Sequence, residues 1–534
     1  MKDKKETMYI IIPIAVALFI LVSSLVFVSV HGTSVISKFM ESKNKVEKDA
    51  TDIDWSSFKA YDVDLSQGSV NITQPGVYFI SGTLENGSIN VATNNYVKLV
   101  LKDANITTKT TPAIYVRQAK ATYIELEGES TLNANAPLAL DAAIYSKDDL
   151  YMLGEGKLNL TSNLDGITSK DNLFLLSGTY NITSKKDGIK AKDSIIIKDG
   201  EYTINAEEGG IKTTNIDEYG DILIEKGNFK IQSKLDGIEA QSSLKIKDGK
   251  YTIIAGPAED VELSQKGLKA VEEIVLEKGE YNISSTDDSI HSDGSIQVQD
   301  GVFSISSDDD GIHAENDVNI KGGQIKITKC YEGIEGYNIT IEAGDINIIA
   351  SDDGINIGGG TTTDPNAKQP GTDEDNGGLL TIAGGVLYVN AQGDGLDSNG
   401  SIKMTAGKVR VDGPTTGGNG LIDYNGSFTI TGGDLIAVGT RDMGQNVSES
   451  STQNTVLIYL EKTTSGPLTL GDIQYTPRES YQAVLISSPS LKLNTPYTLT
   501  AGSLTQNITL TKKVATVGYG GMMPSTPGGP RPKR

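Results

Sequence analysis

Between Gly178 and Ile305 the chain repeats the phrase Gly-x-aromatic-x-Ile. It appears first as Gly178-Thr179-Tyr180-Asn181-Ile182, then with Tyr202 and Ile204, Phe229 and Ile231, Tyr251 and Ile253, Tyr281 and Ile283, and Phe303 and Ile305. Successive aromatic positions lie 22, 27, 22, 30 and 22 residues apart. A period of this length with alternating apolar positions indicates a solenoid of β-strands, because one coil can bury its inward side chains only against neighbouring coils. The aromatic residue and the isoleucine are two apart, so both point inward from one strand. Any outward residue that recurs once per coil then forms a straight external row with a spacing of about 4.8 Å.

The repeat continues with aliphatic residues at Ile325, Ile346, Leu387, Val409 and Leu435. Beside it runs a second ladder, Asp-Gly-Ile, at Asp165, Asp187, Asp236, Asp310 and Asp353. Variants of it are Gly209-Gly210-Ile211, Lys266-Gly267-Leu268, Asp288-Ser289-Ile290, Glu332-Gly333-Ile334, Asp394-Gly395-Leu396 and Asn419-Gly420-Leu421. The glycine suits a corner with positive φ, and the following Ile or Leu opens the next inward strand. Each coil thus has at least two strands. Ala113-Ile114-Tyr115 and Ala143-Ile144-Tyr145 extend the ladder upstream without acids, which predicts a coil beginning near residue 77. From Ile355 to Leu396 the step is 41 residues, and the surplus, residues 358–378, has the composition of a solvated loop. Beyond Leu435 the beat is lost. Turns at Pro467, Pro477 and Pro496 predict a β cap over 436–517, with a separate small sandwich as the alternative.

The chain's 69 acidic and 47 basic residues give a net charge of −22, which argues against a nucleic-acid partner and favours cations. Residues 9–30 carry no charge and are long enough to span a bilayer, and Lys2, Lys4 and Lys5 precede them. They predict a single-pass anchor with residues 1–8 cytoplasmic, a linker over 31–54 and the solenoid, 55–435, outside the cell; a cleaved signal peptide is the alternative. Residues 518–534, rich in Gly, Pro and Met, read as a disordered tail. The single cysteine, Cys330, permits no intramolecular disulfide and reads as a buried inert thiol.

Acidic residues crowd the corner that precedes the second ladder: Asp287-Asp288, Asp308-Asp309-Asp310, Glu332, Asp352-Asp353 and Asp394. Carboxylates one coil apart repel by about 3 to 4 kcal/mol at an effective dielectric near 20. Calcium is the natural neutraliser, since it accepts six to eight oxygens in loose geometry, whereas the scarcity of Cys and His disfavours zinc. Asp-Gly is also ordinary turn chemistry, and Asp165, Asp187 and Asp236 need no other explanation. The doubled and tripled runs exceed a turn's needs, so Asp287, Asp288, Asp308, Asp309, Asp310, Asp352, Asp353 and Asp394 are the candidate metal ligands. At corners such as Gly209 and Lys266 the pattern lapses.

These corners, strands such as Gly301-Val302-Phe303-Ser304-Ile305, the Gly-rich insertion, the N-terminal apolar run and the tail from Gly518 together resemble one bacterial family. It is the family of calcium-binding, pectate-lyase-like carbohydrate-binding proteins of the cell surface. The resemblance covers roughly residues 55–524. It implies an all-β fold, a right-handed parallel β-helix, with calcium at the corner aspartates and plant cell-wall polysaccharide as ligand, either cellulose or polygalacturonate. His291 and His313, two residues beyond the corner in consecutive coils, are candidates for contact with sugar hydroxyls, with a solvated pair as the alternative. The rival class is a lyase or hydrolase on the same scaffold. Scarce arginine argues against it, although Lys190, Lys212 and Lys269 share the row of the two histidines. A structural surface protein or adhesin is the third class.

Overall fold

The structure is a computed structural model that describes residues 53–134, 140, 142–217, 220–257, 263–358 and 375–518. The predicted membrane span 9–30, most of the linker, most of the 358–378 insertion and all but the first residue of the tail lie outside the described residues. Among the described residues no helix is long and apolar enough to cross a membrane. The chain divides into two compact units, Met1–Lys59 and Ala60–Arg534. The described part of the first holds a single 3-10 turn, Trp55–Ser57, where the Asp54 carboxylate accepts a hydrogen bond from Ser56 N at 3.1 Å.

The second unit is all-β. Each regular coil supplies three strands, as in Thr179–Ser184, Ile189–Ala191 and Ile195–Ile197. Each pairs in parallel with its counterpart one coil on: Tyr180 opposite Tyr202, Ile189 opposite Ile211, and Ile195 opposite Ile222. Parallel pairing starts earlier than residue 77, because Ala60–Asp64 already pairs with the strand Gly76–Leu84. That first strand lacks the repeat's signature, and its register is set instead by partners such as Tyr61, stacked 4.6 Å from Tyr78.

The inward aromatic row is continuous. Ring centroids from Tyr180 through Tyr202, Phe229, Tyr251 and Tyr281 to Phe303 are 4.5–5.1 Å apart, and the rings stack nearly parallel. Each such pair adds about 0.5–1.5 kcal/mol beyond its buried area. The tyrosines satisfy their hydroxyls by donating to a carbonyl three residues back, Tyr180 to Ser177 O at 2.7 Å and Tyr281 to Lys278 O at 2.7 Å.

Positive φ belongs to a different glycine from the one expected. It occurs at the residue before the aromatic strand, as at Gly200 with φ 138°, while the corner glycines of Asp-Gly-Ile are not left-handed. Space explains the corner glycine: a Cβ on Gly311 would lie 2.6 Å from Gly333 O and 2.7 Å from Ile327 Cδ1. The small Ser289 fills that position in one coil, its hydroxyl 2.8 Å from that of Ser285.

The strand Asp434–Gly439 joins two cores. Leu435 and Ala437 face the coil interior, whereas Ile436 and Val438 face a second cluster containing Leu468, Leu499 and Ile508. Along that edge it pairs antiparallel with Tyr481–Ser487, which ends the parallel stacking. Leu468–Leu470, Ile473–Tyr475, Pro496–Ala501 and Leu504–Thr509 form a separate four-stranded antiparallel sheet. Arg410 is only 9% exposed, because its guanidinium is paired with Asp434 at 2.9 Å and lies over the ring of Tyr475. The neighbouring Asp412 is fully buried and accepts hydrogen bonds from Tyr388 and Tyr475 hydroxyls and from Arg478 N, tying the last coils to this sheet.

Candidate functional site

The corner aspartates have a structural task first. One carboxylate oxygen accepts the backbone N–H of the corner residue in the next coil: Asp165 from Asp187 at 3.2 Å, Asp187 from Gly209 at 2.9 Å and Asp236 from Lys266 at 2.7 Å. Farther along, Asp288 accepts from Asp310 at 3.1 Å, Asp310 from Glu332 at 3.0 Å and Asp353 from Asp394 at 2.6 Å. A carboxylate is well suited to capping an otherwise unpaired amide at a strand break. In the acid pairs below, the other oxygen is the one that meets neighbouring side chains.

Three residues beyond each corner, strand register places one outward row: Lys190, Lys212, Glu239, Lys269, His291, His313, Glu335, Asn356 and Asp397. Its charge changes sign along the coil. At the Lys190 end the carboxylates are neutralised from within the chain. Lys190 Nζ lies 3.2 Å from Asp165 Oδ2 and 2.5 Å from Asp187 Oδ2, Lys212 pairs with Glu239 at 2.7 Å, and Lys269 lies 3.7 Å from Asp236. Burial works against the Lys190 charge, but the two aspartates hold its pKa above the usual lysine value. Lys266, standing at a corner itself, bridges Asp287 at 2.6 Å and Asp288 at 2.8 Å.

The middle of the row holds the histidines. They occupy paired positions, with ring centroids 4.9 Å apart and the planes perpendicular rather than stacked face to face. Both turn Nδ1 toward Asp288 Oδ2, at 2.8 Å for His291 and 3.4 Å for His313. Burial raises the Asp288 carboxyl, but hydrogen bonds from both imidazoles and the charge of Lys266 outweigh it and hold the group well below the usual range. His313 is pushed up to about 9, since hydrogen bonding to Asp288 and the charge of Glu335 overcome its burial.

Beyond His313 neither row contains a basic residue: the corners read Glu332, Asp353 and Asp394, and the outward row reads Glu335, Asn356 and Asp397. Burial first, then neighbouring carboxylates, raise both Asp310 and Glu332 well above the carboxylate range. Burial, with Asp353 and Asp397 adding to it against a lowering backbone hydrogen bond from Gly420, brings Asp394 to about 8.

Three acidic groupings bring carboxylate oxygens within 4.8 Å of one another: Asp287, Asp288 and Asp309; Asp310 and Glu335 with His313; and Asp353, Asp394 and Asp397. The first two groupings line a groove of about 670 Å³ together with Lys266, His291, Tyr331, Glu332 and Asp352. Asp308 is left out, its half-exposed carboxylate paired with Lys329. Cys330 is buried, and burial followed by the charges of Asp310 and Glu332 raises its thiol far above the usual value, as an inert thiol requires. Sequence reading missed Glu335, Asn356 and Asp397, although all three stand in the register row of the two histidines, which was the available signal. Asn356 is 9% exposed, donates from Nδ2 to Glu332 Oε2 at 2.7 Å, and has a buried Oδ1 with no hydrogen-bond partner.

A parallel coil that arrays one ionisable side chain per turn along a groove is a scaffold for an extended ligand. Residues 66–311, 294–367 and 309–455 match the family model of carbohydrate-binding domain-containing proteins, and the chain belongs to that family. A carbohydrate-binding domain-containing protein of Acetivibrio thermocellus is 33% identical over 122 residues, 20% of this chain and 43% of the relative. The chain thus spans less than half the length of the curated relative it matches. A solved polysaccharide lyase-like protein from C. thermocellum, a gadolinium derivative, is 29% identical, covers 36% of this chain and 90% of its own, and superposes with a TM-score of 0.34.

Proposed function

We propose that this chain binds plant cell-wall polysaccharide, polygalacturonate or cellulose, through calcium held at the acidic end of the corner rows. The observation that carries the reading is the all-oxygen grouping of Asp353, Asp394 and Asp397, together with Asn356, the register partner of Asp397, whose buried Oδ1 has no hydrogen-bond partner. This donor set fits calcium, which takes carboxylate and amide oxygens in flexible geometry. Those four residues would hold the ion, and a bound ion with part of its shell open accepts a uronate carboxylate, which lets an acidic protein hold an acidic polymer. Asp309 and Asp310, nearer the histidines, would line the path of the chain. Several weak sugar contacts along successive coils then sum to useful avidity.

The coil is right-handed in this reading, following the general rule for parallel crossovers. The apolar run 9–30 would anchor the protein in the cell membrane with the coil outside. The direct test is a pull-down with polygalacturonate gel and with insoluble cellulose, each with and without chelator. Retention on polygalacturonate that EGTA abolishes is the expected result, and equal retention with EGTA would sink the calcium reading.

One observation favours an enzyme as the second reading. Asp310, raised by burial, stands one coil from the strongly ionised Asp288, the kind of divergence that separates a general acid from a base or nucleophile. Incubation with polygalacturonate, followed by assay for new reducing or unsaturated ends, separates binder from enzyme.

A further inference from the structure

The two histidines form a centre of different chemistry from the all-oxygen grouping. His31, His291 and His313 are the only histidines in the chain, and two of the three are register partners in adjacent coils. Both direct the same nitrogen, Nδ1, at one oxygen, Asp288 Oδ2, and His313 Nδ1 also lies 3.6 Å from Asp310 Oδ2. Their far nitrogens face carboxylates too: His291 Nε2 is 2.9 Å from Asp293 Oδ1, and His313 Nε2 is 3.5 Å from Glu335 Oε2 and 3.9 Å from Glu315 Oε1. A carboxylate on the outer nitrogen fixes the ring and makes the inner nitrogen the better donor, as in metal-binding histidines generally. The carboxylate they share is itself immobilised, since Asp288 Oδ1 accepts the Asp310 amide at 3.1 Å.

We infer that His291 Nδ1, His313 Nδ1, Asp288 Oδ2 and Asp310 Oδ2 form a binding site for a transition-metal dication of the zinc class, separate from any calcium at Asp353, Asp394 and Asp397. Two imidazoles and two carboxylates are a donor set that zinc favours and calcium, which seeks oxygen, does not. The competing cation is Lys266, whose Nζ is 2.8 Å from Asp288 Oδ2 and 2.6 Å from Asp287 Oδ1. An ammonium and a dication repel one another on the same oxygen, so loading the site requires Lys266 to retain Asp287 alone. The lysine thereby sets the affinity.

The test is equilibrium dialysis of the full chain against Zn²⁺ in the presence of millimolar Ca²⁺, repeated for His291→Ala, His313→Ala, the double variant and Lys266→Met. Zinc retention by the native chain is expected, weakened about tenfold or more by each histidine change and strengthened by Lys266→Met, with calcium binding unchanged in all variants. The gain in Lys266→Met cannot arise from misfolding. In the native chain loaded with Co²⁺, two paramagnetically shifted, exchangeable imidazole N–H resonances are expected. Zinc held equally well by the double variant, zinc displaced by the calcium present, or a cobalt spectrum without those resonances would each overturn the assignment. None of these outcomes bears on whether polygalacturonate is bound.

Discussion

The coils carrying Asp165, Asp187 and Asp236 and the coils carrying Asp310, Asp353 and Asp394 have the same Asp-Gly corner and the same amide cap, yet opposite electrostatics. In the first set the outward row returns a lysine to each buried acid; in the second it holds His313, Asn356 and Asp397 and no lysine. One backbone device thus serves two ends, and whether the outward row of the same or the next coil supplies a lysine decides which. Where a lysine stands there the acids are closed off as structure, and where an acid or amide stands there the same corner becomes a site that attracts cations.

Removing a lysine breaks the comparison most severely. Lys190→Met leaves Asp165 and Asp187, both buried, without the ammonium, and should cost about 3–5 kcal/mol, read by chemical denaturation. If the two regions differ only in that cation, calcium should restore part of the loss, and a variant that stays equally unstable with and without calcium would count against the comparison. In the acidic region, Asp353→Asn with Asp394→Asn keeps an oxygen for each amide cap but removes two charges. Calcium affinity should fall about a hundredfold by titration calorimetry, because ligand charge sets affinity in such sites.

A pH series sharpens the contrast. Asp394 is raised to about 8 from a reference value of 3.8, so between those values the folded, metal-free chain keeps a proton that the unfolded chain has lost. The stability contributed by this group is complete below that window and is lost as pH rises through about 8. Calcium must displace that proton, so binding at pH 6–7 should release protons, detectable as a dependence of the calorimetric enthalpy on buffer ionisation. Identical enthalpies in all buffers would contradict a protonated site. The smallest effect is expected at Asp308, whose carboxylate faces Lys329 outside the groove. Asp308→Asn should leave calcium affinity unchanged and stability within about 0.5 kcal/mol.

Much of this was legible in the chain itself. The spacing of Tyr180, Tyr202, Phe229, Tyr251, Tyr281 and Phe303 gave the parallel coil and its interior, because inward positions on stacked strands must repeat with the coil. The corner acids were legible for the same reason, as was the shared row of Lys190, Lys212, Lys269, His291 and His313. Their pairing was not. Whether Lys266 reaches forward to Asp287 and Asp288, or His313 back to Asp288, depends on side-chain reach across coils, which periodicity does not encode. Asp308 and Asp310 look alike in sequence, yet Asp308 is exposed and meets Lys329, whereas Asp310 is buried and accepts the Glu332 amide.

What the sequence by itself determined is therefore the repeat: the coil, its interior ladder and the rows in which ionisable residues stand, all consequences of strand alternation and a near-constant period. Tertiary structure alone decided which acids receive a lysine, which crowd together without a basic neighbour in their row, and that Arg410 is covered by the C-terminal strands. Those outcomes depend on distances of 2.5–4 Å between side chains more than twenty residues apart, such as Lys190 and Asp165 at 3.2 Å. A linear pattern fixes which row a residue joins, whereas only the folded chain fixes what its charged end meets.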